Sequence, residues 1–288
     1  MPIKTDKFKK LILPGNRFLD LEKPAIMGIL NLTPDSFSDG GKHDDPITGL
    51  ERARQMISEG ADIIDIGGES SRPGSEPVSA NNELGRVLPV IKKIREFSNI
   101  PISIDTTKAV VARESLLGGA DIINDISAMR FDKQMVPVAK EFEVPIILMH
   151  MLGSPKTMQK DPSYENCLEE IIQFFRERID YCLSHGVSRE KIIIDPGIGF
   201  GKRLEDNLNI LKNLKSFNIL NRPLLIGASR KSFIQMITGQ DKPADKRIGG
   251  SLMALFYALR AGCNILRVHD VAETVEAVKV YGAIERIG

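Results

Sequence analysis

Surplus charge is the first thing this sequence lacks: 39 Lys and Arg stand against 38 Asp and Glu, leaving a formal +1 over 288 residues. No global field then recruits nucleic acid or an anionic membrane, and any anion site must be local. Long apolar runs are missing as well. Runs such as Pro145–Met149 and Ile192–Ile194 fall far below the roughly 18 residues that cross a bilayer. Near the start, the apolar triplet Leu11–Leu13 is cut off by Pro14, so no signal-peptide core forms and a cytoplasmic protein is expected. Cysteine is scarce: Cys167, Cys182 and Cys263 have no CxxC spacing, and each falls in a helical pattern. Reduced, buried thiols are expected rather than disulfides or zinc. There is no HExxH, paired His/Cys set or EF-hand loop, which argues against a tightly held protein metal site.

What is present is alternation. Hydrophobic residues make up 42% and charged residues 27%, close to the averages of soluble globular chains, and the length suits one (β/α)8 barrel of roughly 250 residues. Eight short runs rich in Ile, Leu or Val recur along the chain: Ala25–Asn31, Ile63–Gly68, Ile102–Thr106, Ile122–Ile126, Pro145–Met151, Ile192–Asp195, Pro223–Ala228 and Ile265–His269. Near-continuous apolar runs of this length read as parallel strands covered on both faces. Between them lie helical stripes such as Tyr164, Leu168, Ile171, Phe175, Ile179, Cys182 and Ile248, Leu252, Leu255, Leu259, which cover the sheet. Gly60, Gly118, Gly186 and Gly262 each close a helical segment just ahead of a strand, where a left-handed cap is expected.

The pattern predicts an α/β fold, a single (β/α)8 TIM barrel over residues 25–288. A doubly wound sheet would show fewer strands and a dinucleotide fingerprint. Residues 1–24, Lys-rich and punctuated by Gly and Pro, are expected to form a short arm or hairpin capping the barrel floor, away from chemistry. Two connections are rich in loop formers, Thr33–Pro46 and Ser70–Val78, and long loops at this end of a barrel carry function.

Active sites of barrels sit where strands end, and polar residues interrupt the strands there: Asn31, Asp65, Asp105, Asn124, Asp195, Arg267 and His269, with Arg72, Ser229 and Lys231 in the following loops. Period-two alternation puts Met27, Ile29 and Asn31 on one face, as it does Ser103 and Asp105, Ile193 and Asp195, and Ile265, Arg267 and His269. Each has a plainer reading alone. Asp105 before Thr106 could cap a helix, Asp195-Pro196-Gly197 is an ordinary turn opening, and Arg72 and Arg267 could form structural ion pairs. Gly197, Gly199 and Gly201 match neither the Rossmann nor the Walker fingerprint. His150 alternates with Met149 and Met151 and so is expected to face the helices, with His43 and His185 on the surface. The carboxylates, two amides, two arginines, a lysine and a histidine at one barrel end are harder to dismiss together. Carboxylates and amides suit a heterocycle with an amino group and ring N–H edges, whereas arginines and histidine suit phosphate oxygens.

Eight ordered segments then match a known family: MGILNLTPDSFSDGG (27–41), DIIDIGGESSRPGSEPVS (62–79), ISIDTTK (102–108), ADIINDISA (120–128), IILMHM (146–151), IIIDPGIGFGK (192–202), LLIGASRKSF (224–233) and LRVHDVAET (266–274). The chain resembles the dihydropteroate synthases from Ile26 to Ala277. That family joins 6-hydroxymethyl-7,8-dihydropterin diphosphate to para-aminobenzoate, releasing pyrophosphate and giving 7,8-dihydropteroate for folate synthesis. It is a target of sulfonamides, works with Mg2+ carried by the diphosphate, and implies a homodimer.

By position, the resemblance gives the pterin to Asp105, Asn124, Asp195 and Lys231, with Met149 and Arg267 about the ring. It gives the diphosphate to Asn31 (through Mg2+), Arg72, Arg267 and His269. The aminobenzoate would sit against Phe37, Ser71, Pro73, Phe200 and Lys231, with its carboxylate at Ser229 and the next helix start. Asp35 would steady the incoming amine or loop closure. Ser71 departs from the family's usual Thr, keeping the hydroxyl. The implied chemistry is dissociative, with Asp105, Lys231, Arg267 and Asp35 as the catalytic set. Rival readings are a pterin-binding methyltransferase, which has no evident use for the SRPGSEP loop or the RVHD pair, a Schiff-base aldolase built on Lys231, and a non-catalytic pterin-binding barrel.

Overall fold

A computed structural model describes residues 8–33 and 46–287 of the chain. The first two strands, β1 (Lys10–Ile12) and β2 (Phe18–Asp20), pair antiparallel as a hairpin. Eight more follow: β3 (Ala25–Asn31), β4 (Ile63–Gly67), β5 (Ile102–Asp105), β6 (Ile122–Asp125), β7 (Ile146–Met149), β8 (Ile192–Asp195), β9 (Leu225–Ile226) and β10 (Ile265–Val268). They run parallel in the order β8-β7-β6-β5-β4-β3-β10-β9. The two ends meet where Ile194 pairs with Leu224 and the Ile194 N–H donates to the Pro223 carbonyl at 3.0 Å, so the sheet closes into a barrel.

Helices α1 (Pro46–Glu59), α2 (Ala80–Arg95), α3 (Ala109–Leu117), α4 (Met135–Phe142), α5 (Cys167–Ser184) and α6 (Leu204–Lys212) fill successive crossovers. The last crossover carries two, α7 (Ser232–Thr238) and α8 (Ile248–Ala261), and α9 (Val271–Ile284) follows β10. This is the (β/α)8 architecture that the alternation predicts.

Strand pleating sorts the side chains. Ile64, Ile66, Ile104, Ile123, Leu148, Ile194 and Leu266 point outward into the layer shared with the helices. Met27, Ile63, Ile122, Ile147, Ile193, Leu225 and Ile265 point inward, where they meet Leu11, Leu13, Leu19 and Leu21 from the hairpin and its flanks. The barrel floor is therefore an apolar plug, and polar side chains are left to the other end.

Local departures from the sequence reading have physical causes. The seventh barrel strand is only Leu225–Ile226; just upstream, Leu224 bridges to Ile194, donates its N–H to the Asn264 side chain at 3.0 Å and accepts from the Cys263 thiol at 3.0 Å. Left-handed backbone is found at Gly60, Gly186 and Gly262, but after α3 it falls on Gly119 (φ +115°) and not Gly118 (φ −76°). Gly118 is instead a close-approach position, since a Cβ there would meet Leu88 at 2.6 Å. Cys263 follows the cap of α8 rather than lying in a helix. All three cysteines are free and buried, and burial pushes Cys182 up to about 11 and Cys167 and Cys263 up to about 12. As neutral thiols they are poor nucleophiles.

Candidate active site

Two residues above five of the inward plug residues comes a polar or soft side chain on the same face: Asp65 after Ile63, Asn124 after Ile122, Met149 after Ile147, Asp195 after Ile193, Arg267 after Ile265. The barrel's own register thus assembles the ring.

Arg267 ties it together. Its Nε donates to Asp65 at 2.6 Å and a terminal nitrogen donates to Asp105 at 2.6 Å. Asp65, fully buried, also accepts from the Asn124 amide at 3.2 and 3.3 Å. Burial works against the charge of Arg267, but Asp65 and Asp105 outweigh it and hold the guanidinium above its ordinary value. For Asp105, burial and the carboxylates of Asp65 and Glu83 outweigh Arg267 and push the carboxyl up to about 7. Asp105 therefore caps no helix: α3 starts at Ala109, whose N–H donates to Asp132 at 2.8 Å.

The loop after β8 forms the opposite wall. Gly197 has φ +67°, and a Cβ there would sit 2.1 Å from the His150 carbonyl oxygen, so only glycine fits. Its N–H donates to Asp195 at 2.8 Å. Burial raises the Asp195 carboxyl above its ordinary value against that bond. Phe200 lies on this loop with the Lys231 ammonium 4.0 Å from its ring centre, and burial beside Arg267 pushes Lys231 down to about 8. Asn124, Met149, Asp195, Phe200, Lys231 and Arg267 line one pocket, with Ile126, Gly197 and Gly227 completing its walls.

Beside it lies an anion-seeking corner. The His269 N–H donates to the Ser229 hydroxyl at 3.2 Å, with His269 Nδ1 3.1 Å from the same oxygen. Burial and the cations Arg230, Arg267, Lys231 and Arg72 push His269 down to about 3, which favours a neutral ring. Arg230 is held by a bidentate pair to Asp270. Asn31 and Asp105 flank Gly67, whose Cβ would lie 3.7 Å from Asn31 Oδ1 and 3.5 Å from Asp105 Cβ.

Ser71 is half-buried while Arg72 and Pro73 are exposed, on a loop whose Gly74 N–H donates to Pro155 at 3.1 Å and whose Glu76 pairs with Lys156 at 2.8 Å. Asp35 and Phe37 lie outside the described residues, as does His43. His150 faces outward, edge-on to Phe174 of α5 with ring centres 4.8 Å apart, and His185 is exposed. The sequence reading saw Asp65 as a polar interruption but gave it no role, although the same alternation that singled out Asp195 placed it inward. It also passed over Lys202, which is buried with its ammonium nitrogen 3.0 Å from His150 Nδ1, and which burial pushes down to about 7.

A buried ring of acids and amides beside a cationic corner, at the C-terminal mouth of a (β/α)8 barrel, defines an enzyme class that reads a polar heterocycle joined to an anion. A family model described as pterin binding enzyme matches residues 27–269. The chain is 47% identical over 274 residues to the dihydropteroate synthase of Escherichia coli K12, covering 95% of this chain and 96% of that one. With the Synechocystis dihydropteroate synthase it shares 45% over 283 residues, 98% of each. Among solved structures, Xanthomonas albilineans dihydropteroate synthase with 4-aminobenzoic acid superposes with TM-score 0.91 at 39% identity, covering 98% of this chain and 100% of that one. The same enzyme in complex with 7,8-dihydropteroate gives TM-score 0.87 at 37% identity, covering 97% and 100%. The chain belongs to the pterin-binding enzymes and, within them, to the dihydropteroate synthase family.

Asp65→Asn should reveal how far the ring depends on this carboxylate. An amide cannot accept fully from both Arg267 and Asn124, so a loss of about 3 kcal/mol is expected, the lower end for stranding a partner of a buried ion pair because Asp105 remains. Urea denaturation of the two proteins reads it. A change below about 1 kcal/mol would remove Asp65 from this role.

Proposed function

We propose that the chain condenses 6-hydroxymethyl-7,8-dihydropterin diphosphate with para-aminobenzoate to give 7,8-dihydropteroate and pyrophosphate. One observation carries the reading: acceptors Asp105, Asn124 and Asp195 and donors Lys231 and Arg267 converge at one barrel mouth, directly beside the Ser229–His269 corner. The pterin ring would give its N–H edges to Asp105, Asn124 and Asp195 and take hydrogen bonds from Lys231, with Met149 against its face. Arg72, Arg267 and His269 would hold the diphosphate.

The aminobenzoate would lie on Phe200, beside Ser71, Pro73 and Lys231, with its carboxylate at the Ser229 hydroxyl. Phe37 and Asp35 would join it from the first loop. Sulfonamides would compete there; a Yersinia pestis dihydropteroate synthase has been solved with a sulfonamide drug complex.

In the reaction, the bond between the pterin methylene carbon and the diphosphate oxygen breaks and its electron pair leaves with pyrophosphate. The carbon becomes cationic, the aromatic amine's lone pair forms the new C–N bond, and the amine proton passes to solvent. Asp105 faces the developing positive charge, and Arg72 and Arg267 face the leaving oxygens. No strong base is needed, because an aromatic amine is already neutral near pH 7.

Mg2+ fits this site as a companion of the diphosphate. Among the described residues no group of three His, Cys, Asp or Glu could hold a metal, whereas Asn31 offers one hard oxygen at the mouth, the arrangement expected when phosphate oxygens supply the remaining ligands. Bound there, Mg2+ would offset charge on the departing diphosphate.

The chain is read as a cytoplasmic homodimer. No helix among the described residues is long and apolar enough to cross a membrane. Met236 and Ile237 of α7, Met253, Phe256 and Tyr257 of α8, and Val280 and Ile284 of α9 are each exposed, apolar side chains that a second copy would cover.

Mixing purified protein with the dihydropterin diphosphate, Mg2+ and para-aminobenzoate should release pyrophosphate, and its absence would refute the assignment. Asp195→Asn should weaken binding of a dihydropterin lacking the diphosphate by about 1.5 to 3 kcal/mol, while Arg72→Ala leaves it nearly unchanged. Equal affinity of wild type and Asp195→Asn in calorimetry would remove Asp195 from the pterin site.

The raised carboxyl of Asp105 sets a pH dependence. Accepting from pterin N–H groups requires the ionised form, and the ionised fraction grows as pH rises through about 7. Affinity for that pterin should therefore climb from about pH 6 to about pH 8, and Asp105→Asn should bind weakly and lose most of the slope. A flat wild-type profile would contradict this. Sedimentation velocity should show a dimer at micromolar concentration that Met253→Glu converts to monomer; a wild-type monomer would refute the dimer.

A further inference from the structure

Phe200 sits in a run of backbone that has little reason to hold still. Gly197, Gly199 and Gly201 surround it, all with positive φ, and no strand ladder crosses the segment. Glycine-rich backbone loses more conformational freedom on ordering than any other. The segment is nevertheless tied at nearly every polar atom. Gly199 N–H donates to the Asn207 side chain at 2.7 Å, and the Gly199 carbonyl accepts from Gln159 at 3.0 Å. Phe200 N–H donates to the Gly197 carbonyl at 3.1 Å, and its carbonyl accepts from the Lys202 ammonium at 3.0 Å. The Gly201 carbonyl accepts from the Tyr164 hydroxyl at 2.6 Å.

Four side chains from the β7–α5 connection, the residue after the loop, and α6 are thus committed to three residues. Lys202 is the most deeply placed. It is 3% exposed, and its side-chain nitrogen also lies 3.0 Å from His150 Nδ1 and 3.3 Å from the His150 carbonyl, so it has three partners and joins the end of β7 to the loop. Ile198 is buried outward into the helix layer and Phe200 inward against Lys231. The clamp therefore fixes one side chain that faces the pocket.

We propose that Tyr164, Lys202, Asn207 and Gln159 form a positioning clamp that fixes Phe200 as the wall against which the aromatic amine stacks, none of the four touching substrate. The inference rests on the functional reading above and adds to it the device that sets the slot for the second substrate. A wall held this way admits a flat ring of fixed thickness and keeps its amine in line with the pterin methylene.

The test is a set of double-mutant cycles in steady-state kinetics. Tyr164→Phe removes one oxygen and should raise KM for para-aminobenzoate by about three- to tenfold, with KM for the dihydropterin diphosphate changed by less than about twofold. Lys202→Met should do the same more strongly, with partial recovery in Lys202→Arg. In a Phe200→Ala background both substitutions should add nothing, because the ring they position is gone. Effects that persist undiminished in that background, equal rises in both KM values, or a lowered Tm with unchanged KM would each overturn the clamp. If Lys202→Met does not fold, the Tyr164→Phe cycle decides alone. A wild type that releases no pyrophosphate would overturn the functional reading and the clamp with it. An active wild type with additive cycles would overturn only the clamp.

Discussion

One buried cation between two carboxylates governs the site. Arg267 spans Asp65 and Asp105 at 2.6 Å each, inside a barrel where water cannot screen the charges. With two acids and one base, the group cannot be neutral while both carboxylates are ionised. Burial and that imbalance are what push Asp105 up to about 7. N–H donors brought to Asp105 would favour its ionised form and work against that imbalance.

That arrangement constrains the rest of the barrel. The inward positions near the strand ends are taken by Asp65, Asp105, Asn124, Asp195 and Arg267, which leaves the lower positions alone to supply the apolar interior. Met27, Ile63, Ile147, Ile193 and Ile265 do so, but they need something to close against at the floor. The leucines at 11, 13, 19 and 21 provide it. The hairpin lies far from the chemistry, yet it completes the core that a polar barrel mouth leaves unfinished.

The fold was legible in the sequence because parallel strands and their helices announce themselves by composition and period, and eight such units leave few alternatives. The polar ring was legible for the same reason: side chains two residues apart on a strand share a face, so Ile193 predicts where Asp195 points. What stayed hidden depends on contacts between segments. Asp65 was visible as an interruption, but its bonds to Arg267 and Asn124 join strands far apart in sequence. Tyr164, Gln159 and Asn207 sit in stretches without a motif, and Tyr164 reads as one more residue of a helical stripe although it precedes α5. Gly118 against Gly119 shows the same limit: the room that requires glycine at 118 is set by Leu88 on a neighbouring helix, a contact between segments far apart in sequence.

Charge at the mouth follows the strand order. Asp65 and Asp105 come from the neighbouring strands β4 and β5, Arg230, Lys231, Arg267 and His269 come from β9, β10 and the residues after them, and Arg267 joins the two groups. Burial first, and then the neighbouring Arg230, Arg267, Lys231 and Arg72, push His269 down to about 3. In the proposed reaction, a substrate with a donor-rich ring at one end and an anion at the other would take one orientation between these groups. Positive charge growing on the carbon that joins its halves would then face the carboxylates and negative charge on the departing oxygen the cations, so the charges that orient the substrate would also favour breaking that bond.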